Sequence, residues 1–428
     1  MRADVPIPLL DISDVLGKRV VHARLRPNIT LREDNVGAAF EVLSRFAVGP
    51  NWLVHLPPTI SPCDASARVD YLEHPDEALR YYAEQGVERA VVQEKHRGVR
   101  AVIVCCRDEV TAMRRFGAGA DELGVCYGRT GRPSPPVPEL QRGLISAVRA
   151  GAEAAGLFAE MESPWLAFEA VLMPRSVAHG TDGVPGGADA IRRRLEPLGL
   201  RRRACLREAV TALEAAEQLG VEVSGILDRQ SRRLDTAERY LLALRRRERL
   251  PLALDDLRLA PLQMLASEGA THFERDPEWH VAMSNRLCVA APELFVRTMR
   301  RIVDPGDEAG GADIAAWWER LTDDGSEGVV VRPLGPTLNG RSKLIQSALK
   351  CRGRDALRLL YGPDYDEPDT LRSLKGRGLA VKRSVALREF ALGVEALERF
   401  VRHESLYRVH ECIVAALALE AEPLDPRL

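Results

Sequence analysis

Strand-like and helical spacings of apolar residues alternate along the first part of the chain. Residues Arg19 to Leu31 alternate between apolar and polar positions as a strand does, and Asp34 to Phe46 has helical spacing with acidic residues near its start. The proline-rich segment Trp52 to Pro62 predicts an extended loop, because proline fixes φ and donates no backbone hydrogen bond. A second helix is predicted from Pro75 to Gln85.

Short runs rich in β-branched residues follow this helix. Ala90 to Gln93 and Ala101 to Cys105 flank a turn that contains Gly98, which predicts a hairpin. Further strands are predicted at Gly124 to Tyr127 and Trp165 to Met173, which are expected to pair, and at Leu257 to Ala266 and Gly328 to Arg332. No Gly-x-Gly-x-x-Gly turn is present, so antiparallel or mixed sheets and an α+β fold are expected.

The middle and the end of the chain have helical patterns. A helical insertion is predicted at about 186–250, and its arginine clusters at 192–194, 201–203 and 245–247 favour solvated helix faces over an RNA groove. After Pro363 a second helical region carries one apolar stripe, interpreted as core packing: Leu387, Phe390, Val394, Leu397 and Phe400. We therefore expect an N-terminal module at 1–85, a central domain at 86–365 and a C-terminal helical module at 366–428.

Composition narrows the function classes. A chain of 428 residues with 46% hydrophobic content can bury a large core, and its net charge of −2 restricts any nucleic-acid contact to a local patch. The eight cysteines form no Cys-x-x-Cys pair, which indicates a reducing compartment and argues against structural zinc. The N-terminus lacks a secretory pattern and no run approaches a membrane span, so a cytoplasmic protein without membrane contact is expected.

Lys95 is the most informative single residue. The chain holds 60 Lys plus Arg but only six lysines, so a lysine in this arginine-rich chain invites a chemical explanation. An ε-amine can lose its proton and act as a nucleophile, whereas a guanidinium stays charged. Lys95-x-x-Gly98 matches the form used by covalent nucleotidyltransferases, and Arg97 and Arg100 would favour the neutral amine. The alternative interpretation is a solvated hairpin tip.

Other charged blocks follow Lys95 in a consistent order. Carboxylates such as Glu327 can hold a divalent cation, while Lys350 and Arg352, two apart on one strand face, can bind phosphate oxygens. This order and spacing resemble those of lysine-adenylating ligases and capping enzymes.

A closer resemblance rests on several long motifs. These are Glu94-Lys95-His96-x-Gly98, Gly124 to Arg132, Lys350 to Arg354 with Leu360 to Tyr365, Ala386 to Gly393, and the tail from Tyr407 to Leu428. They resemble the ligase domain of bacterial polynucleotide kinase-phosphatase, from about Leu16 to the last residue. No kinase or phosphatase precedes the ligase region, so the chain resembles a free-standing version.

The resemblance implies a nucleotidyltransferase fold of the ATP-dependent ligase type, a C-terminal helical module, and RNA repair through a lysyl-AMP intermediate made from ATP with Mg²⁺ or Mn²⁺. It implies RNA ends as substrate and, as partners, an RNA 3′-terminal 2′-O-methyltransferase or separate kinase and phosphatase subunits. The implied residues are Lys95 for catalysis, Glu94, Arg100, Arg332, Lys350 and Arg352 for the nucleotide, Arg129 and Arg132 for RNA or phosphate, and Glu327 and Glu169 for the metal.

Some positions depart from the family pattern. Val171 stands where the family has a glutamate, Val99 replaces a small polar residue, and Leu262 replaces an aromatic residue that could stack on a base. Glu169 lies two residues before Val171, on the same face of a strand, and could partly replace the missing carboxylate. Three functions stay open: an RNA ligase with altered nucleotide use, a degenerate RNA-binding or scaffold subunit, and nucleotidyl transfer to another acceptor.

Overall fold

A computed structural model describes residues 19–174, 187–245, 253–335 and 344–428 of the protein. Twelve strands lie in this described part, most of them in two five-stranded sheets. They are β1 (Arg19–Ala23), β2 (Arg26–Leu31), β3 (Ser61–Pro62), β4 (Ala90–Glu94), β5 (Val99–Cys106), β6 (Gly124–Gly128), β7 (Trp165–Pro174), β8 (Leu257–Ser267), β9 (Ala270–Thr271), β10 (Arg300–Val303), β11 (Gly328–Pro333) and β12 (Leu349–Arg352).

Thirteen α-helices lie in the same described ranges. They are α1 (Glu33–Phe46), α2 (Pro75–Glu84), α3 (Glu109–Phe116), α4 (Pro138–Ala154), α5 (Leu157–Glu160), α6 (Gly187–Gln218), α7 (Ser224–Arg245), α8 (Pro277–Ala290), α9 (Glu308–Asp323), α10 (Arg354–Tyr361), α11 (Pro368–Lys375), α12 (Ala380–Val401) and α13 (Leu406–Glu420). The residues at the N-termini explain where several helices begin. Proline is at the first position of α2, α4, α8 and α11, and the side chains of Asp108, Asp276 and Asp307 cap α3, α8 and α9.

The two large sheets have different strand orders. The first sheet runs β10-β4-β11-β12-β3, with only β12 and β3 parallel. The second runs β6-β5-β7-β8-β9 and is antiparallel throughout. The predicted antiparallel or mixed sheets are therefore confirmed.

The predicted hairpin around Lys95 is wrong. β4 lies between β10 and β11 in the first sheet, whereas β5 lies between β6 and β7 in the second. The connecting turn passes so close to β7 that a Cβ on Gly98 would collide with the Leu172 carbonyl oxygen. The strands at 124–127 and 165–173 form as predicted, but both pair with β5 instead of each other. Lys95 consequently lies where the chain crosses from one sheet to the other.

The two ends of the described chain share a hydrophobic core. Helix α1 packs against α13, and α12 contacts the β1–β2 hairpin. Within the predicted stripe of α12, Val394, Leu397 and Phe400 are buried, while Leu387 and Phe390 pack at the margin, which confirms the core-packing interpretation.

Helices α6 and α7 pack against each other within the region predicted as a helical insertion. Arg201 is exposed, and Arg202 forms an ion pair with Asp364 at 2.5 Å. The side chains of the clusters at 192–194 and 245–247 lie outside the described residues.

No helix in the described ranges is both long and apolar enough to cross a membrane.

Candidate active site

Lys95 directly follows β4, and its backbone N–H donates to the Gly328 carbonyl oxygen at 2.9 Å. Its Nζ forms an ion pair with Oε2 of Glu327, the residue that immediately precedes β11. The pair is brought together because β4 and β11 are antiparallel neighbours, with Glu94 opposite Val329. The Lys95 side chain keeps 26% of its surface exposed and the Glu327 side chain 34%, so a ligand can reach both.

The surroundings of Lys95 favour its neutral amine. Burial, together with the nearby Arg352 and Arg97 guanidinium groups, lowers the pKa of Lys95 from its usual value to about 8. The contact with the Glu327 carboxylate acts in the opposite direction, since an opposite charge favours the ammonium. Separation of Glu327 from Nζ would therefore release an amine that loses its proton readily.

Lys350 and Arg352 extend from one face of β12, as their spacing predicts. Leu349 and Cys351 point into the core, whereas Lys350 and Arg352 are only partly buried. Burial and the neighbouring Arg352 hold the pKa of Lys350 well below its usual value. In the described part of the chain, no carboxylate lies within ion-pair distance of Lys350 Nζ. Arg352, in contrast, is paired with Glu73.

Arg332 and Lys382 add two more cations without carboxylate partners among residues 19–174, 187–245, 253–335 and 344–428. Burial lowers the pKa of Arg332, which lies on β11. Burial, Arg352 and Arg129 lower the pKa of Lys382, which lies on α12. Electrostatic interactions connect Lys95, Lys350, Lys382 and Arg352 in one cluster. Such crowding of buried like charges is unfavourable unless an anion neutralises it.

Arg100 and Glu169 form an ion pair between β5 and β7. The Arg100 side chain also donates from Nη1 to the Pro58 carbonyl oxygen at 2.6 Å. Glu169 is completely buried and accepts a hydrogen bond from Gln263 Nε2 at 3.1 Å. Val171, which the sequence resemblance marks as the position of a missing glutamate, lies directly opposite Arg100 in the β5–β7 register. Glu169 thus supplies the carboxylate partner of Arg100 from two residues away.

Arg129 is held by carboxylates of the C-terminal helices. Its Nη2 lies 3.1 Å from Glu420 Oε2 and its Nη1 lies 3.5 Å from Glu389 Oε2. Nη1 also donates to Thr59 Oγ1. Arg132 instead places its guanidinium 4.4 Å from the centre of the exposed Phe46 ring. The structure therefore directs Arg129 inward beside Lys382, whereas Arg132 lies on the surface.

A small cavity lies next to the Lys95 segment. Gln93 of β4, Leu262 of β8 and Thr298 line one side, and α8 closes the other. His96 joins the cavity wall to the segment through a 2.9 Å hydrogen bond between Nε2 and Thr298 Oγ1. Burial raises the pKa of Glu94, the residue between Gln93 and Lys95. Leu262 provides an apolar surface here but no aromatic ring.

Glu327 is the carboxylate best placed for a divalent cation. No group of three or more His, Cys, Asp or Glu side chains in the described residues is arranged to hold a metal ion. Mg²⁺ bound with a nucleotide commonly takes one or two protein carboxylates together with phosphate oxygens. Glu327 fits that arrangement because it lies beside Lys95 and is partly exposed. Glu169 is buried and engaged by Arg100 and Gln263.

Three residues that sequence reasoning missed join this site: Glu73, Lys382 and Glu389. Glu73 binds Arg352, Glu389 binds Arg129, and Lys382 interacts with both arginines. Lys382 is one of the six lysines, so the reasoning that selected Lys95 could also have selected it. Glu73 and Glu389 gave no such signal, because single glutamates are common and their partners are distant in the sequence.

Comparisons with known proteins identify the family and the fold. A family model described as the PNKP adenylyltransferase domain, ligase domain, matches residues 38–423. A chain from a structure of the Pnkp1/Rnl/Hen1 complex aligns with a TM-score of 0.59 and 17% identity, over 88% of this chain and 96% of that one. A chain from the Pnkp1/Rnl/Hen1 RNA repair complex aligns with a TM-score of 0.59 and 18% identity, over 92% and 99% of the two chains.

No curated protein matches the chain. The structural likenesses show the fold alone, because the sequence identities are only 17% and 18%. The family model covers most of the chain and matches the region that carries Lys95, Glu327, Lys350 and Arg352. The protein therefore has the nucleotidyltransferase fold of ATP-dependent ligases, and it belongs to the family of PNKP adenylyltransferase (ligase) domains.

Proposed function

We propose that the protein is an ATP-dependent RNA ligase that carries AMP on Lys95. The observation that supports this most directly is the charge arrangement around the Lys95 amine. Lys350 and Lys382 belong to the same cation cluster as Lys95 and have no carboxylate partners in the described ranges, and Arg332 interacts with the neighbouring Arg100; this arrangement suits a polyanion such as a triphosphate. A nucleophile with a lowered pKa beside a phosphate-binding cluster is the arrangement that nucleotidyl transfer requires.

In the proposed first step, neutral Lys95 Nζ attacks the α-phosphorus of ATP. An N–P bond forms, the bond from the α-phosphorus to the bridging oxygen breaks, and its electron pair leaves with pyrophosphate. The amine loses one proton in forming the phosphoramidate. Lys350 and Arg352 would hold the pyrophosphate oxygens, and Arg332 the α-phosphate. In the later steps, AMP passes to an RNA 5′-phosphate and leaves when a 3′-hydroxyl attacks.

A divalent cation bound with ATP would neutralise charge on the phosphates. Glu327 is the residue proposed to hold it, because this carboxylate contacts Lys95 and keeps an exposed surface. Arg100 is proposed to contact the ribose or phosphate, with Glu169 fixing its orientation. Glu94 and the partly open surface formed by Gln93 and Leu262 are proposed to contact the base.

RNA ends are proposed as the substrate because the similar chains come from an RNA repair complex. By the same comparison, partners that prepare or methylate RNA ends are proposed for this protein. Arg129 would contact an RNA phosphate, since it lies beside Lys382 at the C-terminal helices. Arg132 would contact RNA farther from the lysine, on the surface near Phe46.

A second candidate function is a catalytically degenerate subunit that binds RNA or a protein partner. Val171 in place of a carboxylate supports it. Glu169 already pairs with Arg100 and accepts a hydrogen bond from Gln263, so it cannot also bind a ligand. Leu262 supports it too, since a base would lose aromatic stacking in the cavity. The retained Lys95, Glu327 and Lys350 favour catalysis.

Incubation with α-labelled ATP and Mg²⁺ or Mn²⁺ separates the two candidates. We expect a labelled protein band that Lys95→Ala and Lys95→Arg both abolish, because neither variant offers a nucleophilic amine. Lys375→Arg is the matched control, since Lys375 binds backbone carbonyls at the surface. Parallel reactions with GTP, CTP and UTP define the nucleotide, and a 5′-phosphorylated RNA tests ligation. Absence of label with either metal, with RNA binding intact, would establish the degenerate subunit.

A further inference from the structure

Glu73 precedes α2 and is completely buried. Its Oε2 accepts from the Arg352 backbone N–H at 2.9 Å and from Arg352 Nε at 3.1 Å. Its Oε1 accepts from Arg352 Nη2 at 2.5 Å and from Arg377 Nη2 at 2.9 Å. Arg377 lies between α11 and α12 and is also buried. One carboxylate therefore joins the segment before α2, strand β12 and the start of the C-terminal helices.

These contacts fix Arg352 from two sides. Two of its three guanidinium nitrogens and its backbone N–H bind Glu73, which leaves Nη1 for another acceptor. Burial alone would lower the pKa of Arg352, but the Glu73 carboxylate outweighs burial and raises this pKa above its usual value. Lys350 on the same strand face has no such partner among the described residues. Arg352 is consequently the pre-oriented member of the pair and Lys350 the adaptable one.

Arg377 connects this arrangement to the C-terminal helices. Its Nη1 binds Tyr361 Oη at 3.1 Å, at the end of α10, while Nη2 binds Glu73. Lys382, five residues later, faces the same cation cluster. A displacement of the α11–α12 connection would therefore shift Arg352, because Arg377 and Arg352 both bind the Glu73 carboxylate.

We propose that Glu73 is a positioning residue of the nucleotide site: it orients Arg352 toward the phosphates of a nucleoside triphosphate and couples the C-terminal helices to that site through Arg377. The inference rests on the proposed function only in taking a triphosphate as the ligand.

The test compares three variants of the full-length protein. Glu73→Gln alone leaves two buried guanidinium groups facing a neutral side chain, so it is expected to be unstable. The double variant Glu73→Gln/Arg377→Gln removes one charge of each sign, whereas Arg377→Gln alone leaves Glu73 on Arg352. Calorimetric titration with inorganic triphosphate measures binding without any nucleotidyl transfer. We expect the double variant to raise Kd about tenfold, since one pre-oriented charged contact is lost.

We expect Arg377→Gln alone to change Kd less than about threefold, because Arg352 keeps its three bonds to Glu73. Glu395→Gln is the matched control, as it removes a carboxylate from the Arg399 network in α12 and should leave Kd unchanged. A KM for ATP that rises with Kd while the saturated labelling rate is kept would separate positioning from a general loss of structure.

Equal Kd values for the double variant and Arg377→Gln would overturn the proposal, as would a wild-type protein that binds no triphosphate. If triphosphate binding follows the expected order but Lys95 acquires no label, the proposed ligase function fails while the role of Glu73 stands.

Discussion

Buried cations have carboxylate partners in the C-terminal helices, but some of those around Lys95 do not. In α12, Arg399 pairs with Glu395 and Glu411 at 2.8 Å, and Arg388 pairs with Glu422 at 2.5 Å. Around Lys95, Lys350 and Lys382 have no carboxylate within ion-pair distance in the described part of the chain. The first arrangement is a closed network, in which each of these cations is paired with carboxylates, and the ion pairs connect α12 to α13 and to the segment after it. The second is an open cluster, and under the proposed function an anion would complete it. The presence or absence of a carboxylate partner for each buried cation is therefore what separates the two regions.

Removal of a cation from the closed network should give the largest effect. Arg399→Ala leaves the Glu395 and Glu411 carboxylates without their buried partner, which is expected to cost about 3–5 kcal/mol of unfolding free energy. Denaturant unfolding measures this loss. Labelling of the protein that remains folded should stay close to wild type, and a stable but inactive variant would contradict the distinction between the two regions.

The matching change in the open cluster is Lys350→Met. Loss of one charged phosphate contact is expected to weaken labelling at low ATP by about 10- to 100-fold, equivalent to about 1.5–3 kcal/mol. Stability should be unchanged or slightly higher, because the variant removes a buried like charge next to Arg352. Labelling rates over a range of ATP concentrations and thermal unfolding test both parts. A large loss of stability would show that Lys350 has a structural partner.

Sequence patterns predicted β4 to β8, β11, helices α1 and α2 and the two long helical regions, but they missed β10 and helices such as α4, α8 and α9. The strand-like stretch at 19–31 forms two strands, β1 and β2, and the pairing of the strands was not predicted. Two consecutive β-rich runs favour a hairpin, yet β4 and β5 are interior strands of two different sheets. Lys95 was found because amine chemistry restricts the residue type. Glu73 and Glu389 could not be found, since their roles arise from partners about 300 residues away in the chain. Short motifs selected Lys95, whereas the carboxylates that contact its neighbours could be identified only from the fold.

Glu420 lies at the boundary between the two regions and should make stability depend on pH. Burial raises the pKa of Glu420 from its usual value to about 7, although Arg129 opposes this shift. The folded protein thus binds the Glu420 proton more tightly than the unfolded chain does. This contribution is present at low pH and is lost as pH rises from about 4.5 to about 7.

In Glu420→Gln the side chain stays neutral, so this part of the pH dependence should disappear. Denaturant unfolding at pH 5 and pH 7 is expected to show a decline for the wild type that exceeds that of the variant by about 1–2 kcal/mol. Identical pH profiles would mean that Arg129 keeps Glu420 charged throughout, and Glu420 would then belong to the closed type of network.

Val171→Glu should give the smallest change and bears most directly on degeneracy. Val171 lies opposite Arg100, which now relies on Glu169 from two residues away. A carboxylate at 171 would face Arg100 directly and release Glu169 from part of its pairing. We expect lysyl-AMP formation to rise by a few-fold, measured with labelled ATP at limiting concentration. Val171→Gln is the control of similar size without charge. An unchanged or lower yield would mean that Glu169 already fulfils the missing role, and that the lost carboxylate does not limit the lysine chemistry.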